Sequence, residues 1–264
     1  MSASDAVLVS LPDAALAALA TAVEAGWLAS SSPEAAFTSI VGDEGARAAE
    51  WLQQLESDGF SPKQTARLIT AVLAGRQRDR ALMPELVMSG PDVAGVPTAD
   101  THAVVQSLFQ QAEAEVLIAG YAFYNGRALF EGLASKKSAN PNLKVTFHVD
   151  VPRRHGDTSS TDAIILRYSQ DFRERHWPWT PPPEIYFDSR ALETEAKVRA
   201  SLHAKVVIID RRLLFIGSAN FTEAAQQRNI EIGVLCSVPY LAERVGSYFE
   251  GLRKAGQLRR LPAL

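Results

Sequence analysis

Leu202-His203-Ala204-Lys205-Val206-Val207-Ile208-Ile209-Asp210 runs through Arg211-Arg212 into Leu213-Leu214-Phe215-Ile216-Gly217-Ser218-Ala219-Asn220. The β-branched run Val206–Ile209, bounded by polar positions, predicts a buried strand. Arg211-Arg212 reads as a tight turn and Leu213–Ile216 as the return strand of a hairpin. Strand side chains alternate faces, so His203 and Lys205 share one face, two residues apart. The return strand then carries Gly217, Ser218 and Asn220 back towards the end that bears His203.

Those residue types suit the handling of a phosphodiester. Gly217 permits close backbone approach, and Ser218 and Asn220 offer short polar groups to phosphate oxygens. Lys205 places positive charge where negative charge develops in a transition state. His203 is nucleophilic when neutral and titrates near working pH. A lone histidine in an apolar strand is usually a packed core residue. The full spacing, four residues between Lys205 and Asp210 and six between Asp210 and Gly217, is much harder to obtain by chance.

With that spacing the chain resembles the phospholipase D superfamily, whose signature is His-x-Lys-x4-Asp-x6-Gly-Ser-x-Asn. Asn229-Ile230-Glu231 leads into Ile232–Leu235 as the family's following strand does. Val104–Leu108 with Ala114–Tyr121, and Leu143–Asp150, resemble its earlier elements, so the likeness covers roughly residues 85–264. More narrowly, the length, the helical leader and Glu85–Pro91 resemble the phospholipase-D-like component of DISARM, a bacterial anti-phage system.

The resemblance implies a mechanism. One histidine attacks phosphorus to form a covalent phosphohistidine; a second, from another copy of the motif, protonates the leaving oxygen and then activates water. His203, Lys205, Asp210, Ser218, Asn220 and Glu231 form the implied catalytic set. Lys205, Ser218 and Asn220 hold the phosphoryl oxygens, and Glu231 partners the His203 ring. Asp210 is expected to act structurally or electrostatically rather than as a proton carrier. No metal and no cofactor is implied. The motif occurs once, so the resemblance implies a homodimer with a shared active site.

Composition bounds the rest. At 264 residues and 47% hydrophobic, the chain can bury a sizeable core. Its single cysteine, Cys236, forms no internal disulfide, which fits a reducing compartment. No basic n-region precedes the first apolar stretch, and no apolar run reaches a membrane span, so a cytoplasmic location is expected. The net charge of −3 is uneven: residues 1–60 hold nine acidic side chains against Arg47 alone. The remainder is basic on balance, and Arg153, Arg154, Arg173, Arg175, Arg211, Arg212 and Arg228 are candidates to line a phosphate-bearing ligand's path. Arg153-Arg154-His155 leads them, because it follows a strand end.

Residues 1–82 read as a helical module, with helices at Ala14–Val23, Ala46–Leu55 and Pro62–Leu73, suited to packing or to binding other defence-system proteins. Residues 83–264 read as a phospholipase D-like α/β sandwich with a mixed central sheet: helix 101–114, strand 115–123, helix 126–138, strand 143–151, helix 161–175, strand 184–188, the hairpin, strand 230–236 and helix 239–255. Trp177 and Trp179, and likewise Tyr121, Phe123 and Tyr124, are expected to pack rather than bind. The expected function is a metal-independent phosphodiesterase acting on nucleic acid, DNA first, as a nuclease in anti-phage defence. The alternatives are a phospholipid phosphodiesterase and a non-cleaving nucleic-acid-binding subunit of a defence complex.

Overall fold

The computed structural model describes residues 6–95, 99–154, 156–193, 199–222, 225 and 229–262. The chain divides into two compact units, Met1–Leu82 and Met83–Leu264.

The first unit is all helical: α1 (Ala6–Ser10), α2 (Asp13–Glu24), α3 (Glu34–Val41), α4 (Gly45–Ser57) and α5 (Pro62–Ala81). Helix α5 opens on a capping box, the Ser61 side chain accepting from the Gln64 N–H while Gln64 reaches back to the Ser61 N–H. Leu16, Leu19, Phe37, Trp51 and Ile69 form its core. The periodicity predicts α2, α4 and the first half of α5; α1 and α3, of five and eight residues, fall below the window of about 11 residues in which the pattern is read.

The second unit is an eight-stranded mixed sheet in the order β1-β7-β6-β5-β2-β3-β4-β8. The strands are β1 (Glu85–Ser89), β2 (Glu115–Gly120), β3 (Lys144–Val149), β4 (Glu184–Asp188), β5 (Val206–Ile209), β6 (Leu213–Gly217), β7 (Glu231–Cys236) and β8 (Leu258–Arg260). β2, β3 and β4 run parallel, and the other neighbours pair antiparallel. Alternation sorts the apolar side chains onto two faces. Val116, Ile118, Val207 and Ile209 pack on one side with α6 (Thr101–Gln111), α7 (Gly126–Ala139) and α8 (Thr161–Arg175). Leu117, Ala119, Val206 and Ile208 face α9 (Pro239–Lys254) on the other.

Three expectations shift. β2 stops at Gly120 rather than 123, and a side chain at Gly120 would meet the Phe123 and Phe221 rings at 2.5 and 2.6 Å, so glycine is needed where the chain turns. Phe123 instead turns inward and stacks on Phe221, centroids 5.3 Å apart. β1, within the Glu85–Pro91 stretch that resembles the DISARM component, is a sheet edge strand paired with β7. The hairpin turn is Asp210-Arg211, not Arg211-Arg212: both have positive φ, +49° and +55°, and the Arg212 N–H donates to the Ile209 carbonyl at 2.9 Å. Two consecutive left-handed residues make a type I′ turn, whose twist matches that of the strands.

Candidate active site

The parallel strands set the site. Gly120 on β2 is level with Val149 on β3, so Tyr121 and Asp150 emerge side by side from the carboxyl ends of those strands. β5 runs antiparallel to β2, with Val206 opposite Ala119, which brings the residues preceding β5 to the same end. Asp150 secures that approach by accepting the Leu202 N–H at 2.9 Å. His203 is exposed there, and Lys205 is buried beneath it.

The Lys205 Nζ lies 3.1 Å from His203 Nδ1 and 3.2 Å from Nε2, and donates to the His203 carbonyl at 2.9 Å. Tyr121 completes the cluster, its ring centroid 4.7 Å from the imidazole and 5.5 Å from the Lys205 ammonium. Burial draws the Lys205 pKa below the ordinary lysine value, opposed by the Glu231 carboxylate. A phosphate placed here would supply the counter-charge that burial denies the ammonium.

β6 and β7 bring the second half of the motif. The Gly217 N–H donates to the Lys205 carbonyl at 3.1 Å, which ties the start of the Gly-Ser-x-Asn segment to the lysine. Ser218 Oγ hydrogen-bonds the Glu231 carboxylate and accepts the Ile232 N–H at 3.1 Å. Asn229 Nδ2 donates to Glu231 at 3.3 Å. Asn220 follows, half-buried, two residues beyond Ser218. Within one chain Glu231 therefore engages Ser218 and Asn229; its expected partnership with the His203 ring is not formed.

Three other candidates, Asp210, Arg211 and Arg153, are placed elsewhere. Asp210 stands at the opposite end of β5, where its carboxylate accepts the Glu113, Ala114 and Glu115 N–H groups at 2.9, 2.8 and 2.7 Å. It fastens the hairpin turn to the start of β2 and touches nothing that reacts. Arg211 beside it bonds Glu115 and Glu250, so it too leaves the ligand path. Arg153 is buried, and its guanidinium donates to the Leu192, Asp157 and Ser159 carbonyls and the Thr161 hydroxyl. With every arm of the fork committed to Leu192 or to the 157–161 segment, it is a fastener rather than a phosphate ligand.

Arg154, in contrast, is exposed and lines a groove of about 670 Å³ together with Tyr121, Asp150, Tyr168 and His176. His155 and Arg228 lie outside the described residues. Among the described residues no group of three His, Cys, Asp or Glu is arranged to hold a metal ion.

Sequence reasoning missed Tyr121 and Asp150. The signal was available: both follow the apolar runs that became adjacent parallel strands, where ligands gather. Packing does hold for Trp177, which is buried in the core with its indole N–H on the Pro181 carbonyl at 3.3 Å. His148 is a histidine of the opposite kind. It is fully buried on β3, stacked on Phe249 at 4.6 Å, and burial next to Arg253 lowers its pKa to about 3.

Residues 105–253 match the family described as "Cardiolipin synthase, PLD-like domain". The chain is 28% identical over 152 residues to "DISARM protein DrmC" of Bacillus paralicheniformis, across 57% of this chain and 55% of that protein. The match thus spans about half the length of this curated relative. Among solved structures, the phospholipase D family member Nuc from Salmonella typhimurium is similar at 21% identity and a TM-score of 0.42, over 69% of this chain and all of that one. NucT from Helicobacter pylori gives 19% and 0.45, over 65% of this chain and 97% of that one. Among the described residues no helix is long and apolar enough to cross a membrane.

Proposed function

The chain belongs to the phospholipase D-like family, and from that premise we propose that it is a metal-independent phosphodiesterase of anti-phage defence, a nuclease whose site is completed by a second copy of the chain. The observation that carries this reading is the exposed His203 ring resting on the buried Lys205 ammonium at 3.1 Å. A neutral imidazole nitrogen attacks phosphorus, and the phosphorus–oxygen bond to the leaving nucleoside breaks. The leaving alkoxide takes its proton from His203 of the partner subunit, which enters the step protonated. Neutral after that transfer, it deprotonates water, and the hydroxide displaces the phosphoryl group from the first histidine. Lys205 holds the non-bridging oxygens as charge builds on them. Ser218, kept in place by Glu231, and Asn220 bind the same group.

A bare sheet face beside Ser218 supports the second copy. Leu86, Val234 and Ile216 form one cross-strand row, and Met88 and Ile232 lie in the next. The cluster beneath α9 takes in Leu214 and Cys236 and reaches Val234, while Leu86, Ile216 and Ile232 remain 62%, 45% and 59% exposed. A two-fold contact over these rows would bring two motifs together. The likeness to a DISARM protein supports the place in defence. The acidic helical unit, with Trp27 exposed, suits contacts with other proteins of such a system.

The test is turnover of bis(p-nitrophenyl) phosphate, labelled DNA and phosphatidylglycerol vesicles in excess EDTA, with wild type and His203→Ala. The reading expects EDTA-resistant cleavage of the diester and of DNA, little of lipid, and none by the variant. Mass spectrometry of quenched wild type should place a phosphoryl adduct on the His203 peptide. Equal activity in His203→Ala would end the catalytic reading; preferential turnover of vesicles would move the substrate to lipid.

A further inference from the structure

Beside the His203 ring opens the groove of about 670 Å³, and its walls are shared with the reacting cluster. Tyr121 both lines the groove and packs on the imidazole. Asp150 lines it and holds the backbone of Leu202, the residue before His203. Tyr121 and Asp150 thus stand between the His203 ring and this space.

The charges of the wall are largely matched. Arg167 pairs with Asp157 at 2.9 Å and Arg175 with Asp171 at 2.7 Å. Arg154 is exposed and, among the described residues, has no carboxylate partner. It is thus the guanidinium available to an incoming anion, and a phosphate oxygen pair suits its fork. Tyr121, 39% exposed, offers an aromatic surface on which a base can stack. His176 accepts the Gly126 N–H at Nδ1, 3.2 Å away, which puts its own proton on Nε2 and makes the ring a neutral donor in the wall. Phosphate, base and hydrogen-bonding edge are each provided for.

Stacking decides the form of the ligand. A base that lies on the Tyr121 ring in this groove presents a free face. In a duplex both faces of a base are covered by its neighbours, whereas an unpaired strand can turn a base out onto an aromatic side chain. We infer that this groove is a subsite for the nucleotide adjoining the scissile phosphate, with Arg154 gripping the next phosphate, and that the protein selects single-stranded over duplex nucleic acid. The inference rests on the phosphodiesterase reading of His203, so its test reads binding rather than turnover.

Fluorescence anisotropy with full-length His203→Asn, which binds without cutting, measures affinity for a labelled single-stranded 12-mer, the matching blunt duplex and phosphatidylglycerol vesicles. The single strand should bind at least about tenfold tighter than the duplex. Arg154→Ala on that background should weaken single-strand binding about tenfold and lower the slope of log K against log salt by about 0.7, the share of one phosphate contact. Arg154→Lys should restore part of both. Equal or tighter binding of duplex, an Arg154→Ala variant with unchanged affinity and salt slope, or preference for vesicles would each overturn the inference. None of these results depends on whether wild type cleaves, so loss of the catalytic reading would show separately in the turnover assay.

Discussion

The two ends of β5 carry the same motif and have opposite characters. At one end Asp210 has its carboxylate filled by three backbone N–H groups and sits in a turn that Arg211 bonds to Glu115 and Glu250. At the other, His203 is exposed, with a buried ammonium and a tyrosine ring as its neighbours. One signature thus spans a structural fastening and an exposed candidate catalytic cluster, separated by the length of a strand. Spacing within a motif records where a strand begins and ends as much as which residues react.

The sharpest way to break this contrast is to remove one residue at each end. His203→Ala should lower phosphodiester turnover by at least about a thousandfold, on the order of 4 kcal/mol in the barrier, while thermal unfolding stays within a degree or two of wild type. Asp210→Ala should do the reverse. Losing an acceptor shared by three N–H groups, and placing alanine at φ +49°, should cost about 3 kcal/mol in urea unfolding, with turnover per folded molecule changed only a few-fold. If Asp210→Ala instead loses turnover at wild-type stability, the carboxylate belongs with the reacting group after all.

A smaller effect sharpens the comparison through the buried histidine. His148 has a folded pKa of about 3 against 6.5 for the ordinary group, so the unfolded chain binds its proton more readily. Stability is full above pH 6.5 and falls as the pH drops towards 3. At pH 5 the loss from this group should be about 2 kcal/mol, and His148→Phe should remove that part of the slope in unfolding measured from pH 7.5 to 5. The smallest expected effect is Arg212→Ala, just outside the turn and exposed, which should change stability by less than about 0.5 kcal/mol and leave turnover alone. A larger change would mean that the turn is held by more than Asp210 and Arg211.

These contrasts also mark what the sequence could tell. The mixed sheet and the meeting of His203, Lys205 and Gly217 at one end of it were legible because apolar runs, helical periods and a spaced motif are local signals. β1 was not: a five-residue edge strand, Glu85–Ser89, carries little alternation, and its pairing with β7 is a contact across some 145 positions. Arg153 and Arg154 are adjacent and chemically identical, yet one is consumed by loop carbonyls and the other faces the groove. Only the path of the chain from 157 to 161 separates them. Glu231 was expected on the His203 ring because the motif supplies the pair. The register of β6 against β7 instead puts it on Ser218.

The claim that organises these observations is that the reactive end is half of a site. Light scattering of the purified chain, with phosphodiester turnover followed over the same dilution series, tests it most directly. The account predicts a mass of about twice 28.7 kDa at working concentration and a specific activity that collapses as the dimer dissociates. A 28.7 kDa particle with full, dilution-independent activity would contradict it.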